Sequence, residues 1–479
     1  MSAPALDQIK FGTDGWRARI AAEFTFHNVA RVAQGVADYA AERWDLRRPV
    51  VIGYDHRFGS DDFALCVARV LAGNGISCRL TADPAPTPAI AYAAGIMPAA
   101  GAVIVTASHN PPADNGIKLR DPTGAALPPS QLQLVETAIA ERAGEYSAVS
   151  ELDAGRDPRI EMFDPAPEYL ESLASAFDLA DLAQVGPFVV DSMFGSGAGY
   201  LERAFARAGV DPRLIEVRGE RNPRFPGLSR PEPIPPHCRV GQDAVNGNSA
   251  AVGILNDGDG DRLGIVDENG AFVDQLRVMS LLAWGVLTDP LTAGPVVRTL
   301  TTSAMLDALG NRYRQPVYET GVGMKFVAPK MLEVGAALGG EESGGYVFAR
   351  HMPERDGMFS GLAFLQLMRR RSARPSELVE QLFEELGRRY HYARNDLQFD
   401  ASARSRILDR VQNWQPGHLI GQQVVARLSE DGYKHVLADG SWVLIRFSGT
   451  EPLLRVYGEA PSQDDLAALL AQGRQAAGV

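Results

Sequence analysis

Cysteine is scarce: three in 479 residues, Cys66, Cys78 and Cys238. They have no metal-ligand spacing and form no even framework for disulfides, so reduced thiols and a cytoplasmic setting are expected. No apolar run approaches the roughly 20 residues of a membrane span, and no amino-terminal stretch resembles a signal peptide. No membrane partner is therefore expected. Basic residues are in the minority, 47 Lys and Arg against 59 Asp and Glu, for a formal net charge of −12. That excludes the basic surface a nucleic acid would select. An anionic ligand would have to meet cations gathered in one cleft. Low-complexity segments are absent as well. What remains is an ordinary globular composition, 45% hydrophobic and 22% charged, in a chain too long for a single core.

A strand–helix–strand unit occurs three times. Apolar strand patterns at 49–54 and 76–80 flank a helical pattern at 63–71, where Phe63, Val67, Val70 and Leu71 share one face. The plan returns at 187–191, 199–208 and 214–217, and again at 295–299, 303–309 and 316–319. Polar residues 145–159 and the region near 390 read as links. From Asn395 the pattern changes to strands between two helices. The expected fold class is α/β: three consecutive similar mixed α/β domains at 1–153, 154–273 and 274–390, then a smaller C-terminal α+β domain at 391–479. Each carries one motif rich in chemistry, so the four loops can cooperate only around a central cleft.

The first motif is Val105-Thr106-Ala107-Ser108-His109-Asn110-Pro111-Pro112. Residues 101–105 are apolar and β-branched, as in a strand covered on both faces, and the two prolines end it. Ser108 thus lies just beyond a carboxyl end, where open α/β sheets bind ligands. His109 and Lys118 are near enough in sequence to assist a serine nucleophile. A capped turn is the plain alternative. The second is Asn256-Asp257-Gly258-Asp259-Gly260-Asp261-Arg262, between strand patterns at 250–255 and 263–267. Alternate aspartates separated by glycine repel unless a cation sits among them, and hard oxygen donors suit Mg²⁺ or Ca²⁺. An EF-hand loop is excluded, because its sixth position needs glycine and holds Arg262, and both flanks read as strands.

The third motif, Gly339-Gly340-Glu341-Glu342-Ser343-Gly344-Gly345, offers Glu341 and Ser343 to sugar hydroxyls. The fourth, Arg446-Phe447-Ser448-Gly449-Thr450-Glu451-Pro452 followed by Arg455, joins two strand patterns. Arg446, Ser448, Gly449, Thr450 and Arg455 supply the charged forks, hydroxyls and small-residue amides that hold a phosphate dianion. A bare β-hairpin would need no such arginines.

In this order and at these separations, the motifs resemble the α-D-phosphohexomutase family, which includes phosphoglucomutase and phosphomannomutase. Phe11-Gly12-Thr13-Asp14-Gly15-Trp16-Arg17 and Asn115-Gly116-Ile117-Lys118 belong to the same resemblance, which spans almost the whole chain. It implies a heart-shaped arrangement of four domains, with Ser108 carrying a phosphoryl group. Mg²⁺ would be held by Asp257, Asp259, Asp261 and an oxygen on Ser108. Arg262, His109, Lys118 and Arg17 would serve charge neutralisation and proton transfer, with Lys325 a further sugar-site candidate. The implied reaction interconverts glucose 1-phosphate and glucose 6-phosphate through glucose 1,6-bisphosphate, which also activates. Hexose phosphates are then the partners, and the chain a monomer or homodimer. Dual-specificity members carry a histidine after Glu-x-Ser-Gly and another before the matched lysine. This chain has Gly345 and Val322 there, and its Gly-Glu-Glu-Ser-Gly-Gly followed by Glu354-Arg355-Asp356-Gly357 is more similar to glucose-directed members. Both features favour glucose, with phosphomannomutase or a dual-specificity phosphohexomutase as the alternative. A Mg²⁺-dependent sugar phosphatase and a silent sugar-phosphate binder are the readings from other classes.

Overall fold

The apolar run at 101–105 becomes the strand Gly101–Val105, with all five residues buried. It runs parallel to Val50–Tyr54 and antiparallel to Asp114–Arg120. The computed structural model describes residues 9–12, 14–448 and 452–478. The first sheet is ordered Trp16–Arg19, Asp114–Arg120, Gly101–Val105, Val50–Tyr54, Cys78–Thr81, Ile160–Phe163. Its last strand lies past the expected boundary at 153. The 145–159 segment stays on the first domain. There Val149 N donates to Arg69 O at 3.0 Å, and Val149 O accepts from Arg69 Nε at 2.9 Å. The segment then delivers Ile160–Phe163 to pair with Cys78–Thr81. The alternation Ile-Glu-Met-Phe is too short and too exposed to distinguish an edge strand from a link.

The second sheet is ordered Phe272–Val273, Leu263–Val266, Val252–Asn256, Phe188–Asp191, Leu214–Val217, and the third Val317–Thr320, Val296–Thr299, Leu338–Gly340, Tyr346–Phe348. One plan is common to all three. A strand parallel to its neighbour on one side turns back into an antiparallel strand on the other. The serine loop, the acidic loop and the Gly-Glu-Glu-Ser-Gly loop are the three reversals. Equivalent positions in three similar domains therefore carry the first three motifs. The fourth sheet is antiparallel through its main strands, with Arg446 and Arg455 on the paired strands Trp442–Phe447 and Leu453–Ala460.

The second and third domains share one core. Helix Gly357–Arg371 buries Met358, Phe359, Leu362 and Leu365 in the same cluster as Ile254 and Leu263 of the second sheet. Gly361 is required for that approach, since a Cβ there would lie 2.9 Å from Ile254 Cγ2. Asp356 caps the helix through the Met358 and Phe359 amides at 3.0 and 2.9 Å. The cap fixes Arg355, just before it, against the second domain's acidic loop, and Glu354 against Arg120 of the first domain.

The fourth domain docks on the third through buried polar groups. Glu459 accepts from the Ser303 hydroxyl, from Ala304 N at 2.8 Å and from Trp442 Nε1 at 2.9 Å. Lys434, 3% exposed, donates to Leu300 O and Glu319 Oε2, both at 2.8 Å. Burial and the nearby Arg298 outweigh Glu319 and push the Lys434 ammonium down to about 8, against 10.5 for an ordinary lysine. The folded chain thus releases this proton before the unfolded chain does. Its destabilising effect is full below pH 8 and is relieved as pH rises toward 10.5. Wild-type urea midpoints should accordingly gain on those of Lys434→Met between neutral pH and about pH 10. A constant difference would show that Lys434 does not titrate there.

Candidate functional site

Ser108 closes the strand Gly101–Val105 by a left-handed turn, φ 52°, and is 1% exposed. Its N–H donates to Thr106 Oγ1 at 2.8 Å, and its hydroxyl donates to Asp257 Oδ2 at 2.9 Å. His109 Nδ1 lies 3.3 Å from the same Oγ. Burial, together with Arg262, Arg17, Arg230 and Lys118, holds His109 well below the usual imidazole range, so the ring is neutral at physiological pH. A neutral nitrogen beside a serine hydroxyl can take its proton.

The acidic loop meets the serine from the second domain. Asp257, Asp259 and Asp261 are fully buried, and one carboxylate oxygen from each lies within 4.8 Å of the others. Asp257 Oδ1 accepts from the amides of Asp261 and Arg262 at 3.0 and 3.2 Å, which turns the loop inward. Burial and the charges of Asp261 and Asp259 raise Asp257 well above the usual carboxylate range. Asp259 is held below that range, because Lys118 and the Thr87 hydroxyl overcome the effect of burial. Among the described residues, Asp259 Oδ1 and Asp261 Oδ1 are buried without a hydrogen-bond partner. Mutual repulsion and two unmet oxygens are what a divalent cation would relieve, so the triad fits a metal ion.

Lys118, 0% exposed on the strand Asp114–Arg120, bonds Asp259 Oδ2 at 2.8 Å, Asp261 Oδ2 at 2.7 Å and Asp14 Oδ2 at 3.1 Å. Burial opposes its charge, yet Asp14, Asp259 and Asp261 together hold the ammonium above its ordinary value. It is a fixed positive charge. Arg262 pairs with Glu232 at 2.9 Å, 3.9 Å from Asp257. Arg17 donates to Asn110 Oδ1 at 2.9 Å, and its Nε is buried without a partner among the described residues. An arginine left partly unpaired beside the serine loop suits an anion.

The third motif enters through a residue to which the sequence assigned no role. Arg355, 4% exposed, contacts Asp14, Asp261 at 2.7 Å, Glu354 at 3.4 Å and Glu341 at 3.6 Å. Its alkyl chain crosses Gly345, where a Cβ would come 2.3 Å from Arg355 Cδ. Gly345 is thus the space Arg355 needs. Glu341 is 6% exposed and raised by burial, against the opposing Arg355 and Arg262. Ser343 Oγ is buried and without a partner among the described residues. Lys325, in the first turn of helix Met324–Val334, is half-buried, with its ammonium 5.4 Å from the Phe326 ring centre. No ion pair among the described residues joins Lys325 to the acidic loop.

On the fourth domain, Arg446 lies opposite Arg455 and donates to Asp431 at 3.1 and 3.2 Å. Asp431 Oδ2 also accepts from Val322 N of the third domain at 2.8 Å. Arg455 Nε is 3.8 Å from Asp396. Ser448 N bonds Leu453 O at 2.8 Å, and Arg404 approaches Ser448 O at 3.4–3.5 Å. Gly449 and Thr450 lie outside the described residues. Glu342, beside Glu341, accepts from Arg394 at 2.8 Å and from Tyr392 at 3.1 Å, tying the third motif to this domain. Thr87 and Arg120 were missed by the sequence reading, and Asp14, Glu354 and Arg355 were read there without a role in the site. Asp14 stood inside a quoted motif, and Arg355 followed the third.

A buried serine hydroxyl set against a cation-ready triad, across two of four stacked domains, defines a phosphotransfer enzyme of the phosphohexomutase class. The chain belongs to the phosphoglucomutase/phosphomannomutase family: its α/β/α domains I, II and III match residues 8–145, 140–270 and 274–386, and its C-terminal domain matches 407–476. A "phosphoglucomutase/phosphomannomutase" of Thermococcus kodakarensis is 29% identical over 454 residues, 95% of each chain. A phosphoglucosamine mutase of a Geobacter species is 30% identical over 463 residues, 95% of this chain and 94% of its own. A family member solved from Thermus thermophilus is 31% identical, with a TM-score of 0.85 over 98% of this chain and 99% of its own. Isomerase activity on hexose phosphates follows from membership, and glucosamine joins glucose and mannose as a sugar of the relatives. No helix among the described residues is long and apolar enough to cross a membrane.

Proposed function

We propose that this enzyme interconverts α-D-glucose 1-phosphate and glucose 6-phosphate, with Ser108 carrying the phosphoryl group and glucose 1,6-bisphosphate as intermediate. The observation that supports it most is the Ser108 hydroxyl, 2.9 Å from Asp257 and 3.3 Å from neutral His109. Phosphorylated Ser108 gives its phosphoryl group to the free hydroxyl of the monophosphate: the serine O–P bond breaks, a sugar O–P bond forms, and the proton of the attacking hydroxyl ends on Ser108 Oγ, which regains its hydroxyl. The bisphosphate turns round, and Ser108 Oγ takes the other phosphoryl group: the second sugar O–P bond breaks, a serine O–P bond forms, and the serine proton passes by way of His109 to the sugar oxygen that is released. Mg²⁺ held by Asp257, Asp259, Asp261 and the Ser108 oxygen would offset charge on the phosphoryl oxygens. Lys118 contributes a fixed cation rather than a proton, and Arg17 and Arg262 flank the same place. Glu341 and Ser343 are assigned to the sugar, with Lys325 beside them.

The fourth-domain loop is assigned to the phosphate that is not reacting. Either end of the bisphosphate must fit it, so its contacts serve both substrates. Arg446→Ala should therefore raise KM for the 1-phosphate and the 6-phosphate alike, by roughly tenfold or more for one charge-assisted contact. It should also increase the bisphosphate needed for sustained turnover, because the intermediate escapes more often. Unchanged KM values and an unchanged bisphosphate requirement would place the clamp elsewhere.

Glucose is favoured by Gly345 and Val322. Glucosamine and mannose remain the second reading, supported by the relatives' names. The deciding assay supplies glucose 1-phosphate, mannose 1-phosphate and glucosamine 1-phosphate side by side. The proposal expects the highest kcat/KM for glucose, yielding the 6-phosphate. Release of free phosphate would make the protein a phosphatase.

A further inference from the structure

The serine loop rests on a side chain that the chemistry above leaves unused. Arg57 follows the strand Val50–Tyr54 and is fully buried. Its Nη1 donates to Pro111 O at 2.8 Å and Asp114 O at 2.9 Å, and its Nη2 to Ser108 O at 2.5 Å and Asn110 O at 2.6 Å. One guanidinium thus gathers four carbonyls from across the loop. Nε lies 3.4 Å from Asp55, and the guanidinium carbon 5.3 Å from the centre of the Phe225 ring. Asp55 works from the other side. It accepts from Arg57 N at 3.0 Å and from Thr106 Oγ1 at 2.6 Å, and that same Oγ1 receives the Ser108 N–H.

Ser108 needs this restraint. A left-handed backbone at a residue with a Cβ costs roughly 1–2 kcal/mol, so an unheld loop would relax to negative φ and move Oγ from Asp257. The peptides on both sides of Ser108 are fixed, the N–H through Thr106 and Asp55, the C=O through Arg57. The acidic loop is seated on that same carbonyl, since a Cβ on Gly258 would lie 2.6 Å from Ser108 O. Where Arg57 holds the carbonyl therefore sets how serine and aspartates meet. A buried arginine with a single close carboxylate is a costly way merely to fill space. Four carbonyls in a planar fork are a task for which lysine has no geometry.

We propose that Arg57 is a positioning residue for phosphoryl transfer, keeping Ser108 in the left-handed backbone that sets its hydroxyl against Asp257. This rests on the reading of Ser108 as the phosphoryl carrier. The test uses full-length dephosphorylated enzyme and glucose 1,6-bisphosphate, following phosphate incorporation at Ser108 by mass spectrometry in a single turnover, beside steady-state kinetics.

Arg57→Ala should slow both incorporation and kcat by on the order of a hundredfold, as small misplacements of reacting groups do. KM for the monophosphates should stay within about twofold. Added guanidinium ion should restore much of the rate. Arg57→Lys, which keeps the charge without the fork, should remain slow even if the alanine variant folds poorly. A fully active Arg57→Lys, a loss appearing in KM alone, or a loss that guanidinium does not reverse would each overturn the proposal. The wild type separates the two readings. Wild-type turnover without incorporation at Ser108 overturns the phosphoserine reading and this one with it. Normal incorporation in both wild type and Arg57→Ala overturns only this one.

Discussion

Ser108→Ala is expected to bind hexose phosphates with nearly unchanged affinity and to lose turnover by roughly four or more orders of magnitude. The serine hydroxyl makes the 2.9 Å hydrogen bond to Asp257 and the 3.3 Å approach to His109, so its removal takes away the carrier and little else. The space left is small, and the loop keeps its anchors, Thr106 and Arg57, which bond the Ser108 backbone. Stability should fall by only about 1 kcal/mol. Isothermal titration with glucose 1-phosphate and a coupled assay for glucose 6-phosphate read the two effects separately. Substantial mutase activity in the alanine variant would remove Ser108 from the mechanism.

Asp259→Asn is the second large effect. The amide keeps an oxygen for the Thr87 hydroxyl, and Lys118 retains Asp14 and Asp261, so the fold should persist. What is lost is a full negative charge in a triad whose Asp259 Oδ1 and Asp261 Oδ1 have no partner among the described residues. Turnover should drop by more than the roughly 10–100-fold that losing a ligand's outer-shell partner costs, and the Mg²⁺ concentration for half-maximal rate should rise with it. In the wild type, a chelator should abolish activity and Mg²⁺ restore it. Activity indifferent to chelation would reject the metal site.

Much of this site was legible because its chemistry is local in sequence. Three aspartates at alternate positions repel one another and call for positive charge, and an apolar run ending at Ser-His-Asn-Pro-Pro puts a serine on a strand end. The fourfold division was legible from the repeated strand–helix–strand pattern. The charge network around the aspartates was not. Arg355 meets Asp14 across 341 positions and Thr87 meets Asp259 across 172, and a lone arginine or threonine reads as surface until the chain closes over it. Arg57 was hidden for another reason, since its partners are carbonyls, which every sequence supplies. Arg446 was legible as a cation on a strand end, but its resident partner Asp431 lies on a neighbouring strand connection and carries no motif. The edge strand Ile160–Phe163 was not foreseen because it is four residues long and its middle two, Glu161 and Met162, face solvent.

The most direct test of the account follows one phosphoryl group. Enzyme is phosphorylated with glucose 1,6-bisphosphate carrying labelled phosphate, freed of small molecules, and given unlabelled glucose 1-phosphate with Mg²⁺. The account predicts label on the peptide containing Ser108 before the chase, then label in glucose bisphosphate and glucose 6-phosphate after it, with none as inorganic phosphate. Label on any other residue, or its release to water without appearing in sugar, would contradict it.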